Sequence, residues 1–298
     1  MAQFNNVHLY GVACQDPKVI RSDSTGEVLN ISFYVLTVTS SRSYEGGNAR
    51  SKELKNQILI RSGVSETAEK LAKVRMNDIV IIKGTVNTRN VPKVVTCSNC
   101  SEKFNIGSPT NDLSEKLGMI TFVTPIDIDI RDTTYSDKTR SIVTMQIPDE
   151  EKDRRIREVT AEALQSIGEH REMSNEIQLL GNLCADPTQQ NQGRETSYQL
   201  GVNRNFYLKD DAPDAYSDYP YVRSFGRQAD SDIEHLQKGS LVLIDGCLML
   251  RVFDRTSVCP KCGASKTWKS NAMEVVPYSV QYLQNLKKPE ENTERSEI

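Results

Sequence analysis

The chain has 298 residues, of which 37% are hydrophobic and 26% charged, a composition that fits a folded, water-soluble protein with room for two ordinary domains. It contains no run of about 20 apolar residues, so we expect no membrane-spanning helix, and its net charge of −3 argues against a uniformly basic surface. The N-terminal MAQFNNVHLYG lacks the basic and apolar regions of a secretory signal, so we expect a cytoplasmic protein.

Two parts of the chain repeat one another. VHLYGVACQDP, beginning at Val7, resembles IQLLGNLCADP, beginning at Ile177, at an offset of 170 residues. DIVIIKGTVNTR, from Asp78, matches SLVLIDGCLMLR, from Ser240, at an offset of 162, and a C-x-x-C pair follows each at the same offset. Matching blocks in the same order predict an internal duplication.

Each repeat is predicted to contain three strands, a short helix and two further strands. Apolar runs that alternate or end in Gly or Asp-Pro turns predict the strands. They cover residues 7–11, 31–38, 58–60, 79–82 and 119–130 in the first repeat, and 177–181, 198–202, 221–225, 241–244 and 273–283 in the second. The helices are predicted at 66–74 and 229–236. This order is the layout of the OB-fold, a five-stranded, partly open barrel, so we expect a mainly β chain with two tandem OB barrels.

The predicted organisation is an OB domain at 1–130, a linker at 131–174, a second OB domain at 175–285 and a disordered polar tail at 286–298. Within the linker, DEEKDRRIREVTAEALQSIGEH predicts a helix that Asp149 could cap after Pro148. Its apolar residues at helical spacing are Ile156, Val159, Ala163, Leu164 and Ile167. We expect a spacer helix that packs on a barrel; a partner-binding helix is the alternative.

Four of the seven cysteines form two pairs, Cys97–Cys100 and Cys259–Cys262, each in the connection between predicted strands four and five. A C-x-x-C turn directs two thiolates at one tetrahedral ion, and a structural zinc needs four ligands. We expect one shared zinc site per chain with these four cysteines as its ligands. The alternatives are metal-free cysteines, either reduced or forming disulfides, and a site shared between chains. The remaining three lie on apolar segments and are predicted to be core residues: Cys14, Cys184 and Cys247.

The second repeat resembles the bacterial single-stranded DNA-binding proteins over about 110 residues. The resemblance is carried by NEIQLLGNLCADP, YQLGVNRNFY, YVRSFGRQAD, LQKGSLVLIDGCLMLRVF and MEVVPYSVQYL in succession. The first repeat resembles the family less, through VHLYGVACQDP and DIVIIKGTV. The chain as a whole is most similar to a tandem-OB member of phage or mobile-element type that carries cysteine pairs.

The resemblance implies that bases stack on aromatic side chains of the second repeat, at Phe206, Tyr219, Phe225 and Phe253. Core packing is the alternative for each ring. The basic residues beside them, which would neutralise phosphates, are Arg204, Arg223, Arg227, Arg251 and Arg255. The first repeat has Asn56, Ser62 and Val91 where the second has aromatic rings. It keeps basic residues, among them Arg42, Arg61 and Arg89, so we expect stacking in the second barrel and mainly electrostatic contacts in the first.

The sequence contains no Gly-rich phosphate loop and no nucleophile elbow, so we expect a binding protein and not an enzyme. The expected function is to bind and protect single-stranded DNA during replication, recombination or repair. An OB-fold assembly protein that docks a replication or recombination factor and a single-stranded RNA binder are the alternatives. We expect the protein to be cytoplasmic and nucleoid-associated, with no membrane partner. We also expect a homodimer, because one duplicated chain would replace two family subunits.

Overall fold

The computed structural model describes residues 4–45, 48–63, 65–168, 174–204 and 216–287, and for residues 40–45 and 48–55 it describes the main chain alone. The strands of the first half are β1 (Asn5–Ala13), β2 (Lys18–Arg21), β3 (Val28–Glu45), β4 (Asn48–Ser62), β5 (Ile79–Val91), β6 (Val94–Thr96), β7 (Lys103–Asn105) and β8 (Gly118–Asp132). The strands of the second half are β9 (Asn175–Leu183), β10 (Thr188–Gln190), β11 (Glu195–Asn203), β12 (Ser217–Asp218), β13 (Tyr221–Phe225), β14 (Leu241–Val258) and β15 (Ser265–Gln284). The helices are α1 (Glu66–Leu71), α2 (Thr134–Thr144), α3 (Asp149–Ile167) and α4 (Gly226–His235).

The two halves pair their strands in the same order. In the first half β1 pairs with β3 and β5, β3 with β4, and β8 with both β5 and β4, the last pair being parallel. In the second half β9 pairs with β11 and β14, β11 with β13, and β15 with both β14 and β13, the last again parallel. The predicted mainly β fold is confirmed, and each half forms a closed circuit of five main strands.

The two halves join along β1 and β9, which run antiparallel with Val7 opposite Ile177. These two residues are also equivalent in the repeat, so an approximate two-fold axis passes between them. Two buried asparagines show the same symmetry: Asn5 exchanges hydrogen bonds with the main chain of Val86, and Asn175 exchanges the equivalent pair with Leu248. A continuous apolar core therefore extends through both halves.

The linker contains two helices, where the sequence predicted one. Helix α3 begins at Asp149 as predicted, but Pro148 holds the N-cap position and no side chain caps it. Asp149 instead opens an acidic first turn, which the helix dipole favours. Helix α2 was not predicted, because its TYSDKTRSIVT has few apolar residues.

Helix α3 packs on the first half through Ala163, Leu164 and Ile167, which contact Val12 and Ile79 in one buried cluster. Burial of this apolar stripe is what holds a helix that is otherwise strongly charged. This confirms the packing that was expected of the linker helix. Among the helices in the described ranges, none is long and apolar enough to cross a membrane.

Candidate nucleic-acid surface and cysteine cluster

The outer face of the second half carries a row of aromatic and charged side chains. Tyr221, Arg223 and Phe225 alternate along β13, so they point to the same side of the sheet. Glu274 of β15 bonds to Arg223, which places it in the same row. The row continues onto β14 with Arg251, which also bonds to Glu274.

The aromatic residues of this face are largely open to solvent. Tyr219, Tyr221 and Phe225 are 45%, 47% and 47% exposed, although rings of this size are usually found in a core. Phe253 is half-buried, and the guanidinium carbons of Arg251 and Arg255 lie 4.4 and 5.3 Å from the centre of its ring. These are positions at which a planar base could stack against a ring with a cation beside it.

Arg223 belongs to the row but is itself buried and fully engaged. Its Nε donates to Glu274 Oε2 at 2.8 Å, and its Nη1 donates to Glu195 Oε2 at 2.6 Å and to Gln190 Oε1 at 3.0 Å. Arg251 is more open and donates to the same Glu274. The network ties β11, β13, β14 and β15 together and leaves Arg223 unsuited to contact a phosphate.

Arg204 is likewise engaged, in a contact between the two halves. Its guanidinium donates to both carboxylate oxygens of Asp218, at 2.7 and 2.9 Å. The buried Asp218 also accepts hydrogen bonds from Asn87 Nδ2 and from the main-chain N–H of Thr88, on β5 of the first half. Arg204 and Asp218 therefore position Tyr219, whose main-chain N–H donates to Thr88 Oγ1 at 2.9 Å.

The remaining predicted residues are dispersed. Arg227 is exposed in the first turn of α4. In the first half Arg61 lies over the buried ring of Phe122, 5.7 Å from its centre, and Arg89 is half-buried on β5, where it is the repeat equivalent of Arg251. Phe206 lies outside the described residues, as does the side chain of Arg42.

Two residues of this surface were missing from the sequence prediction. Tyr221 stands four residues before Phe225, a spacing that puts both on one face of a strand. Alternation along β13 could therefore have identified it. Glu274 gave no signal, because it lies 51 residues from Arg223 in the chain.

The four paired cysteines come together at one point. The Sγ atoms of Cys97 and Cys262 are 3.6 Å apart, those of Cys100 and Cys259 are 3.7 Å apart, and all four lie within 4.8 Å of one another. A tetrahedral zinc with Zn–S bonds of about 2.3 Å has S–S edges of about 3.8 Å. The donor set and its spacing therefore fit a tetrahedral thiolate-bound ion. No disulfide is present among them.

The two cysteine turns have the same main-chain geometry. Cys97 N donates to Glu102 O and Ser101 N donates to Cys97 O; Cys259 N donates to Ala264 O and Gly263 N to Cys259 O. Ser101 and Gly263 both have positive φ, 58° and 71°, which lets the chain turn tightly behind the sulfurs. These matching turns place the cysteine pairs face to face across the approximate two-fold.

The first cysteine turn favours a thiolate at Cys97, whereas burial and the neighbouring cysteine sulfurs raise the pKa of Cys100 to about 12. The pKa of Cys97 is lowered to about 6, because the main-chain N–H groups of Cys100 and Asn99 donate to its sulfur. By contrast, burial raises the pKa of Cys14 to about 12, and Cys247 is buried with a raised pKa for the same reason. Cys247 was correctly predicted as a core residue, while Cys14 and Cys184 are half-buried.

Comparison with known proteins finds a family resemblance in the second half. Residues 174–259 match the sequence model of the Single-strand binding protein family. Over this segment the chain is similar to that family. The matched segment contains the aromatic row from Tyr219 to Phe253 and ends at the first cysteine of the second pair. None of the curated proteins compared with the chain is a match.

Solved structures resemble the chain over its whole length. The wild-type single-stranded DNA binding protein from Thermus aquaticus superposes with a TM-score of 0.52 at 14% identity, covering 96% of this chain and 95% of that one. A deletion mutant of the same protein gives 0.54 at 16%, covering 98% and 100%. At this identity the likeness concerns the fold, and it extends to the first half, which the family model does not match.

Proposed function

We propose that the chain binds single-stranded DNA across the outer face of its second half. The observation that carries the proposal is the row of open aromatic rings flanked by arginines, on a segment that matches the Single-strand binding protein family. Base–aromatic stacking contributes about 1–3 kcal/mol per base and tolerates any sequence. A surface of this kind suits a protein that coats a strand whatever its sequence.

Within this surface the side chains divide into two groups. Tyr219, Tyr221, Phe225 and Phe253 would stack on bases, and Arg227 and Arg251 would contact phosphates. Arg204 and Arg223 are better explained as positioning residues, because carboxylates already compensate their charges. The binding surface thus carries few free cations, which is consistent with an overall charge of −3.

We further propose that the two circuits of strands are tandem OB barrels with unequal roles. The first half presents Tyr34, which is exposed on β3, together with Arg61 and Arg89. It has Phe122 at the position of Glu274, so a cation–π contact replaces the ion-pair network. Fewer open rings in the first half support a supplementary, mainly electrostatic role.

The cysteine cluster is proposed to hold one structural zinc per chain, bound by Cys97, Cys100, Cys259 and Cys262. The support is the match between the observed S–S separations and the edges of a thiolate tetrahedron. A zinc ion there would supply a rigid crosslink between connections that come from different halves. The chain's own residues would still do all of the DNA binding.

In the cell this activity would serve replication, recombination or repair, in the cytoplasm and at the nucleoid, with the chain as a homodimer. A second candidate role is the docking of a replication or recombination protein. It is favoured by the helical linker, where Val143 at the end of α2 and the adjoining Met145 are exposed. Within the described residues, that surface lies on an element with no counterpart in the second half.

The stacking proposal is tested with single-residue variants titrated with oligo-dT at fixed salt. Tyr219→Ala and Phe253→Ala are each expected to lose about 1–3 kcal/mol, and the double variant well over tenfold in affinity. Tyr278→Ala is the control, since Tyr278 is an exposed ring, at 59%, that lies beside Glu176 and not beside the arginines. If all four variants bound oligo-dT with the affinity of the wild-type protein, the stacking surface would be excluded.

A further inference from the structure

The β14–β15 hairpin carries the aromatic row beyond the second half and toward the cysteine cluster. Alternate side chains of β14 share one face and are half-buried: Arg251, Phe253, Arg255 and Ser257. The residues between them are exposed on the other face: Val252, Asp254, Thr256 and Val258. The half-buried face therefore continues from the proposed stacking surface for about 13 Å beyond Phe253.

A second cation reaches this face from the first half. Lys93 is the repeat equivalent of Arg255, and each lies four residues before the first cysteine of its own pair. The aliphatic part of Lys93 packs closely over Gly118, where any Cβ would collide with it. The pKa of Lys93 is lowered by burial and, secondarily, by the charge of Arg255. The two cations, which stand at equivalent positions of the repeat, thus lie near enough for the charge of one to act on the other.

Neither cation is neutralised within the described part of the chain. Arg255 contacts the ring of Phe253, and Lys93 contacts the first-half main chain at Gly118. Among the described side chains, no carboxylate forms an ion pair with either residue. Elsewhere on this face the arginines are compensated by Glu274. A pair of adjacent, uncompensated cations favours an anion between them.

A groove of about 270 Å³ lies next to both residues. The main chain of Lys93 bonds to Asn105 and Ile106 of its lining, and Arg255 directly precedes Thr256, which also lines it. One wall comes from the first half, with Phe104 and Ile106, and the other from the second, with Val258 and Pro260. Ser257 also lines the groove, and its hydroxyl oxygen is buried without a hydrogen-bond partner. A buried polar atom of this kind is normally satisfied, so the groove has apolar walls with one unsatisfied hydroxyl behind them. Its volume is below that of drug-sized ligand pockets.

We propose that this groove binds one nucleotide of a single-stranded nucleic acid, with its phosphate between Lys93 and Arg255 and its base against Phe104 and Ile106. The inference rests on the proposed single-stranded DNA binding, which it extends to the first half. The occupant follows from the continuity of the Arg251–Phe253–Arg255 face and from the charge of the cation pair.

The cysteine cluster would control this site. Cys97 and Cys100 hold the first-half wall, and Cys259 and Cys262 hold the second-half wall, so the sulfur contacts fix the width of the groove. Separation of the two pairs would move Lys93 and Arg255 apart. The groove is thus a site that neither half could form alone.

The salt dependence of oligo-dT affinity tests the cation pair on the full-length, metal-loaded protein. In Lys93→Gln/Arg255→Gln the slope of log K against log[salt] is expected to become shallower by about 0.7, the value for one phosphate contact on a single strand. Lys93→Arg/Arg255→Lys, which keeps both charges, is expected to retain the slope. Lys269→Gln is the control, because Lys269 is exposed on the other face of the hairpin and pairs with Asp254.

Photocrosslinking of the unaltered protein tests the groove independently of any variant. An oligonucleotide containing 5-iodouracil is expected to crosslink to the tryptic peptide 104–116, which contains Phe104 and Ile106. The nucleotide-binding groove would be overturned by an unchanged salt slope in the glutamine variant, or by crosslinks that avoid this peptide. If Tyr219→Ala and Phe253→Ala still lost affinity in that case, the proposed function would stand without the groove. Failure of the wild-type protein to bind oligo-dT would overturn the proposed function and the groove together.

Discussion

Replacement of Asp218 tests whether Arg204 stabilises the protein or contacts DNA. Asp218 is completely buried and the Arg204 side chain is 11% exposed. Asp218→Ala would leave the guanidinium without its carboxylate and would also leave the donors of Asn87 and Thr88 unsatisfied. Removal of one partner from a buried ion pair costs about 3–5 kcal/mol. We therefore expect Asp218→Ala to lower the free energy of unfolding by about 4 kcal/mol.

The loss is measured by urea unfolding followed by circular dichroism. With an m value of about 2–3 kcal/mol/M, a loss of about 4 kcal/mol lowers the midpoint by roughly 1.3–2 M. Asp254→Ala is the matched control, since it breaks an exposed pair with Lys269 and should cost less than about 1 kcal/mol. Arg204→Gln should also destabilise the protein without changing the salt slope of DNA binding. A loss in Asp218→Ala no larger than that of Asp254→Ala would refute this reasoning.

Three further substitutions or measurements test the fold and the metal site. Asn77 has φ 69° and joins both linker helices by side-chain hydrogen bonds to Thr139 and Thr160. Asn77→Gly keeps the backbone conformation but should lower the free energy of unfolding by about 1–3 kcal/mol, measured by thermal or urea unfolding. An unchanged stability would contradict this role of Asn77. Gly246→Ala would place a Cβ about 2.4 Å from a carbonyl oxygen of β15 and should lower the free energy of unfolding by about 2–3 kcal/mol. In the control Gly168→Ala the new Cβ meets no atom within 4 Å, so the stability should be nearly unchanged. Equal losses of stability in the two variants would show that the close approach of the strands at Gly246 does not exclude a side chain. Metal analysis of protein purified under reducing conditions should find about one zinc per chain, and none after all four cluster cysteines are replaced by serine; two per chain, or none in the wild type, would refute the shared site.

The duplication is the part of the structure that the sequence predicted best. Matching blocks at fixed offsets placed the main strands, and equivalent residues such as Val7 and Ile177 lie directly opposite each other. The two cysteine pairs occupy equivalent positions in the repeat. A two-fold arrangement that brings their hairpins together therefore also brings the four sulfur atoms close to one another. Their proximity could therefore be expected before any coordinates were known.

The state of each arginine could not be predicted in the same way. Arg204 and Arg223 look like phosphate ligands in the sequence because they adjoin aromatic residues, yet both are held by carboxylates. Asp218 and Glu274 lie on other strands, and strand pairing alone brings them into contact. Helix α2 escaped prediction for a related reason: its few buried residues gain their environment from the first half and from α3, and not from a local apolar pattern.

Titration of the wild-type protein with oligo-dT, single-stranded RNA of the same length and a matched duplex tests the central claim most directly. The only tryptophan, Trp268, pairs with Arg255 on the β14–β15 hairpin, so its fluorescence reports on the proposed binding face. We expect saturable quenching by oligo-dT that weakens with rising salt, and much weaker binding of the duplex, whose stacked bases cannot reach Tyr219 or Phe253. Equal or tighter binding of the duplex, or no binding of oligo-dT at low salt, would contradict the account.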